Sequence, residues 1–247
     1  MDTISQLHFA AQYLATAAKS FLVAKDDDSH TNIGFSIASK RLQTRSLTDN
    51  GLLLSLNLMD FSLEWNSQKT EPLVLNDKTH SDVTDWLRRT SVLLEFKKPY
   101  QFDLHYELPF AIEDTFIFKS LQNEALEDFF TTRSIAQKAI QSFLEEESLV
   151  SEIRIWPHHF DLGAFATISD TKKSVGVGLA VADTVVPQTY FYISGYQNNA
   201  PIDPTRLDTL TLGKWKNNTF KGGVLSAQKV TEKMAVTFLK QAFHALK

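Results

Sequence analysis

Two imidazoles and a carboxylate lie close together in Arg154-Ile155-Trp156-Pro157-His158-His159-Phe160-Asp161-Leu162-Gly163, a stretch otherwise patterned like a β-strand of a core. On a regular strand successive side chains alternate between faces, so His159 and Asp161 share one face while His158 joins Trp156 and Phe160 on the other. A His-x-Asp pair offers three kinds of chemistry. The carboxylate can accept the imidazole N–H and fix its tautomer, a purely structural arrangement. The same two groups can orient a small-molecule or peptide ligand. With Asp183 as a third ligand, brought in if the strand around Val175 pairs antiparallel with the strand around Arg154, they can hold a divalent metal that activates water. His158, on the aromatic face, reads as a packed and hydrogen-bonded histidine rather than a ligand.

Other residues add to this set or fall away from it. Tyr190 and Tyr192, with Tyr196 and Trp215, have the composition of a pocket wall or a carbohydrate platform, although tyrosines alternating along a strand are also ordinary half-buried sheet residues. Gly176-Val177-Gly178 lacks the third glycine and following helix of a dinucleotide loop and reads as a closely packed strand. The run Glu145-Glu146-Glu147 reads as a helix ending in solvent. The chain contains neither a Gly-x-Ser-x-Gly elbow nor a His-Glu-x-x-His helix, and it has no cysteine, which excludes thiolate nucleophiles, disulfides and cysteine metal sites.

The elements that must carry these residues follow from apolar spacing. Leu7, Ala10, Ala11, Leu14, Ala17, Ala18 and Phe21 recur at helical intervals, with Thr3 and Gln6 placed as a capping box, which predicts a helix from about Thr3 to Val23. Alternation replaces that period in Ile33, Phe35 and Ile37, and again in Leu54, Leu56 and Leu58 after the Asp49-Asn50-Gly51 turn. The apolar set then moves to odd positions, Phe61, Leu63 and Trp65, which requires a tight turn or bulge near Asp60. Ser81 precedes a helix carrying Val83, Trp86, Leu87 and Thr90, and a strand over Val92 to Phe96 is expected after it.

The second half repeats the order. A helix with Ile135, Ala136, Ala139, Ile140, Phe143 and Leu144 starts between Asn123 and Ser134 and leads into the histidine motif. A turn at Ser169-Asp170-Thr171-Lys172, a strand over Val175 to Leu179, a strand over Tyr190 to Ile193 and a closing helix with Val230, Met234, Phe238, Ala242 and Leu246 follow. The expectation is an α+β protein of pseudo-duplicated antiparallel β-sheets packed against helices, with halves 1–112 and 113–247 joined by a connector over Pro99 to Phe118.

Composition bounds the partners. With 25 basic and 29 acidic residues and a net charge of −4, the chain has no basic stripe for a phosphate backbone, so no nucleic acid is expected. No run approaches the roughly 20 apolar residues of a membrane span, and Met1-Asp2-Thr3-Ile4 does not open like a secretion signal. These features read as a soluble cytoplasmic protein with no membrane partner, in which Asn217-Asn218-Thr219 is a loop turn rather than a glycosylation site.

The string Trp156-Pro157-His158-His159-Phe160-Asp161-Leu162, the downstream Asp183, and Pro187-Gln188-Thr189-Tyr190-Phe191-Tyr192 together resemble an uncharacterised bacterial domain family of unknown function. Its members carry Trp-Pro-x-His-Phe-Asp and Pro-x-x-Tyr-x-Tyr segments. The likeness in element order runs over nearly the whole chain, and the specific motifs cover Trp156 to Tyr196. Where relatives often have a Ser-Pro-Gly-Asp turn this chain has Ala180-Val181-Ala182-Asp183, and His158 stands where an acidic residue is frequent. The resemblance implies a fold and a site location and carries no activity with it.

Two functional expectations follow. In one, the protein binds a small polar ligand in a cleft near the His159/Asp161 strand, with Asp183, Tyr190 and Tyr192 as further candidates. In the other it is a metal-dependent hydrolase using His159, Asp161 and Asp183. Neither names a catalytic residue, a cofactor or an oligomeric state.

Overall fold

Helix α1 (Thr3–Phe21) is rich in alanine, which favours the helix, and it is buried along nearly its whole length. Its cap differs from the expected one. The Asp2 carboxylate accepts the Ser5 N–H at 2.7 Å, because the chain turns into the helix one residue earlier than the Thr3 box requires. Thr3 and Gln6 are buried instead and accept the backbone N–H groups of Gln122 and Lys119, at 3.1 and 2.7 Å.

The protein is seen here in a computed structural model that describes residues 1–113 and 115–247. The fold is α+β: among the described residues there are four α-helices and two antiparallel sheets. The chain forms two compact units, Met1–Phe130 with Ile155–His159, and Thr131–Arg154 with Phe160–Lys247. Within the first unit Phe118 is fully buried, stacked 5.2 Å from Phe9, and it exchanges backbone hydrogen bonds with Asp77 and Lys78.

In the first unit β1 (Gly34–Ser36), β2 (Arg41–Gln43), β3 (Leu54–Asn57), β4 (Ser62–Trp65) and β5 (Leu73–Val74) pair in sequence order as an antiparallel meander. Turn 58–61 sets Asn57 opposite Ser62, so residues of opposite parity face each other, and the apolar set moves from even to odd positions as the sequence requires. Helix α2 (His80–Leu93) opens on a true capping box: the Thr79 hydroxyl accepts the Asp82 N–H at 3.1 Å, and the Asp82 carboxylate accepts the Thr79 N–H at 2.9 Å. The strand expected over Val92 to Phe96 is not formed. Val92 and Leu93 complete α2 and Glu95 then turns the chain in the left-handed region, at φ 64°; a short apolar run at a helix end has no period by which to tell it from a strand.

Helix α3 (Asn123–Glu146) leads to β6 (Arg154–Trp156), β7 (Asp161–Thr167), β8 (Lys173–Ala180), β9 (Tyr190–Gln197), β10 (Ala200–Pro201), β11 (Lys214–Asn217), β12 (Lys221–Ser226) and α4 (Glu232–Leu246). The second sheet runs in the order β11-β12-β9-β8-β7-β6, with β10 paired to β9. Strand β8 therefore pairs with β7, which follows the histidines, and not with the Arg154 strand that precedes them. The register aligns Leu162, Leu179 and Phe191, and next to them Ala164, Val177 and Ile193, all buried on one face. Helix α4 packs on β9 and β12, and its Phe243 meets Phe143 of α3 edge to face at 5.4 Å. The opposite face carries Asp161, Gly178, Tyr190, Tyr192, Val224 and the lysines of β11.

Candidate functional site

The histidine motif is a hairpin, and the alternation expected of one continuous strand does not apply to it. β6 ends at Trp156, turn 157–160 follows, and Asp161 opens β7. Pro157 cannot donate to a ladder, and Phe160 takes the left-handed region at φ 60°, which bends the chain back. His159 and Asp161 are thus not two positions on one strand face; the first is counted with the first unit and the second with the second. Phe160 is fully buried and Trp156 half-buried.

In the second unit the candidate carboxylates are each taken up by a tyrosine. Gly163, Gly178 and Tyr192 are aligned across β7, β8 and β9, and the Tyr192 ring lies over Gly178 to donate its hydroxyl to Asp161 Oδ2 at 2.5 Å. Burial and the neighbouring Asp161 carboxylate push the Tyr192 hydroxyl well above the usual phenol range, which keeps it a donor. Asp183 accepts the Val185 and Val186 N–H groups on Oδ1, at 2.8 and 3.0 Å, and the Tyr190 hydroxyl on Oδ2 at 2.8 Å. Burial, then that bond, raises Tyr190 in the same way. Four of the five candidate residues therefore form two Asp–Tyr pairs.

Arg133 of α3 is the residue this region adds. It is 2% exposed, lies 4.5 Å over the Phe160 ring, and donates from Nη2 to the Phe160 carbonyl, so it secures a left-handed aromatic residue from both its ring and its backbone. Burial draws its guanidinium down to about 9, and the Asp161 charge acts in the opposite direction. Its sequence signal is its spacing: Phe129, Arg133, Ala136 and Ile140 form one apolar stripe with an arginine in it.

In the first unit the turn meets a cavity. Two side chains of α1, His8 and Gln12, hold the Pro157 carbonyl at 2.8 and 2.9 Å, and reciprocal backbone bonds between Ile33 and Ile155 fix the strand before it. Beside that anchored turn, Trp156, Pro157 and His158 line a cavity of about 280 Å³ with Asp27, Asp28, Thr31, Asn32, His105 and Tyr106. His105 Nε2 is 3.3 Å from Asp28 Oδ2, and Tyr106 stands 5.6 Å from the His158 ring while donating its hydroxyl to Gln12 at 2.7 Å. Burial, then the neighbouring His159 and His105, pulls the His158 imidazole down to about 4, so it is neutral at neutral pH and able both to donate and to accept. His159 is exposed, with its ring 4.3 Å from that of His158. Of the two motif histidines, His158, set aside in the sequence as a packed residue, is the one that lines the cavity.

Among the described residues no group of three or more histidine, aspartate or glutamate side chains is placed to hold a metal ion, so His159, Asp161 and Asp183 do not form one. Also among them, no helix is long and apolar enough to cross a membrane. No family model matches the chain, and no curated protein or solved structure is significantly similar to it.

Proposed function

We propose that this protein binds a small polar ligand in the cavity beside turn 157–160. The observation that carries the reading is the convergence of Trp156 and His158 with Asp28 and His105 on one cavity whose Pro157 is anchored to α1 by His8 and Gln12. Asp27 and Asp28 present carboxylate acceptors, the neutral His158 offers a donor and an acceptor, and Trp156 and Tyr106 offer aromatic surface. That set favours a ligand bearing hydroxyl or ammonium groups on a compact body, since carboxylates accept from both and aromatic faces attract cations.

Thermal-shift screening with choline, glucose and myo-inositol tests it. At least one is expected to raise the melting temperature of the wild type, with the rise lost in Trp156→Ala and Asp28→Asn. A rise that survives both substitutions contradicts the reading, as does an unchanged melting temperature with all three.

Membership of the uncharacterised bacterial family is part of the proposal, carried by the Trp156–Leu162 and Pro187–Tyr192 segments. So is an internal duplication, supported by an order of elements in which a helix, strands and a helix occur twice.

A further inference from the structure

We infer that the second unit carries a separate binding groove for a small amphipathic carboxylate, between the segment after β8 and the edge strand β11. The groove has a volume of about 430 Å³, within the range of roughly 300–1,000 Å³ usual for small-molecule pockets. Its lining is largely apolar, with Val185, Val186 and Pro187 of the segment after β8 and Val224 of β12. Val185 and Val186 pack on the cluster of Ala180, Tyr190 and Val224, so this surface continues a small core on the outer face of the sheet.

The segment that forms the wall is built in place. Asp183 holds the Val185 and Val186 N–H groups and the Tyr190 hydroxyl, the Ser226 hydroxyl donates to Gln188 at 3.0 Å, and Ala227 N–H donates to the Thr189 carbonyl at 2.9 Å. Gly213, at φ 77°, also lines the groove, and a Cβ there would lie 2.4 Å from the Val224 carbonyl oxygen. Asp183 and Tyr190 are positioning residues for this groove.

Charge selects the occupant. Lys214 and Lys216 both line the groove, and the register puts them opposite Val224 and Gly222, on the same face as the apolar wall. Among the described residues neither ammonium group has a carboxylate partner within salt-bridge distance, whereas Lys19, Lys69, Lys119 and Lys240 each have one. Two uncompensated cations at the rim of an apolar slot fit a ligand with one anionic head and one apolar body.

Octanoate is the probe, with 1-octanol as its uncharged analogue, followed by backbone amide spectra of the full chain. Octanoate is expected to bind saturably and to shift amides in 185–188 and 213–226, with 1-octanol at least ten-fold weaker. The double variant Lys214→Gln, Lys216→Gln is expected to lose at least ten-fold in octanoate affinity at an unchanged melting temperature. Equal binding of the two probes, equal binding by the double variant, shifts confined to other segments, or no saturable shift overturns the inference. None of these readouts involves Trp156 or His158, so the result is independent of the first cavity.

Discussion

The Tyr192 phenol passes over Gly178 to reach Asp161, 2.5 Å away, so the glycine on β8 is what lets a residue of β9 hydrogen-bond the first residue of β7. A Cβ at Gly178 would lie 2.6 Å from the Tyr192 ring and hydroxyl and 2.7 Å from the Leu162 carbonyl oxygen, too close for either to be accommodated without movement.

Gly178→Ala is therefore expected to destabilise the protein by about 1–3 kcal/mol, through displacement of the tyrosine and loss of its bond to Asp161. Urea unfolding measures this, and a midpoint equal to that of the wild type would show that the ring does not need the glycine.

Arg133→Met is expected to cost about 3–5 kcal/mol, because it removes the donor to the Phe160 carbonyl and leaves the Asp161 charge without its neighbouring cation. Adding Asp161→Asn should recover part of that loss, since an amide still accepts from Tyr192 and carries no charge. A double-mutant cycle reads the coupling; strictly additive losses would mean that Arg133 and Asp161 do not act on each other.

Acid stability should depend on His158. Its folded value, about 4, is below the unfolded value of 6.5, so as pH falls through that window the unfolded chain takes up a proton that the folded chain refuses. Stability present above pH 6.5 is lost progressively toward pH 4. His158→Gln should flatten that limb, leaving a smaller slope from His30, which burial also lowers. Unfolding midpoints at pH 7, 5.5 and 4.5 compare the two proteins, and parallel acid limbs would contradict the assignment.

The α+β class, the helices and the antiparallel meander were legible because their periods are long or their parity jumps are sharp; the move from Leu58 to Phe61 required a turn, and one is there. The turn at 157–160 was not legible. Pro-His-His-Phe contains none of the glycine, asparagine or aspartate that usually marks a left-handed position, and Phe160 adopts one because burial and Arg133 hold it there. The same limit applies to the cavity. Asp28, His105 and Tyr106 come from segments remote in sequence, and only tertiary packing brings them to His158. Asp161, Asp183, Tyr190 and Tyr192 were picked out from their chemistry, but which carboxylate meets which phenol depends on strand register.

The most direct test of ligand binding beside the turn is the imidazole C–H spectrum of the protein, followed while choline, glucose and myo-inositol are added. His105 and His158 line the cavity, so a bound ligand is expected to shift their resonances saturably while His244, which pairs with Glu147 outside it, stays fixed. The same titration of Trp156→Ala is expected to leave all of them unmoved. Resonances of His105 and His158 that do not respond to any of the three compounds, or that respond equally in Trp156→Ala, would contradict the account.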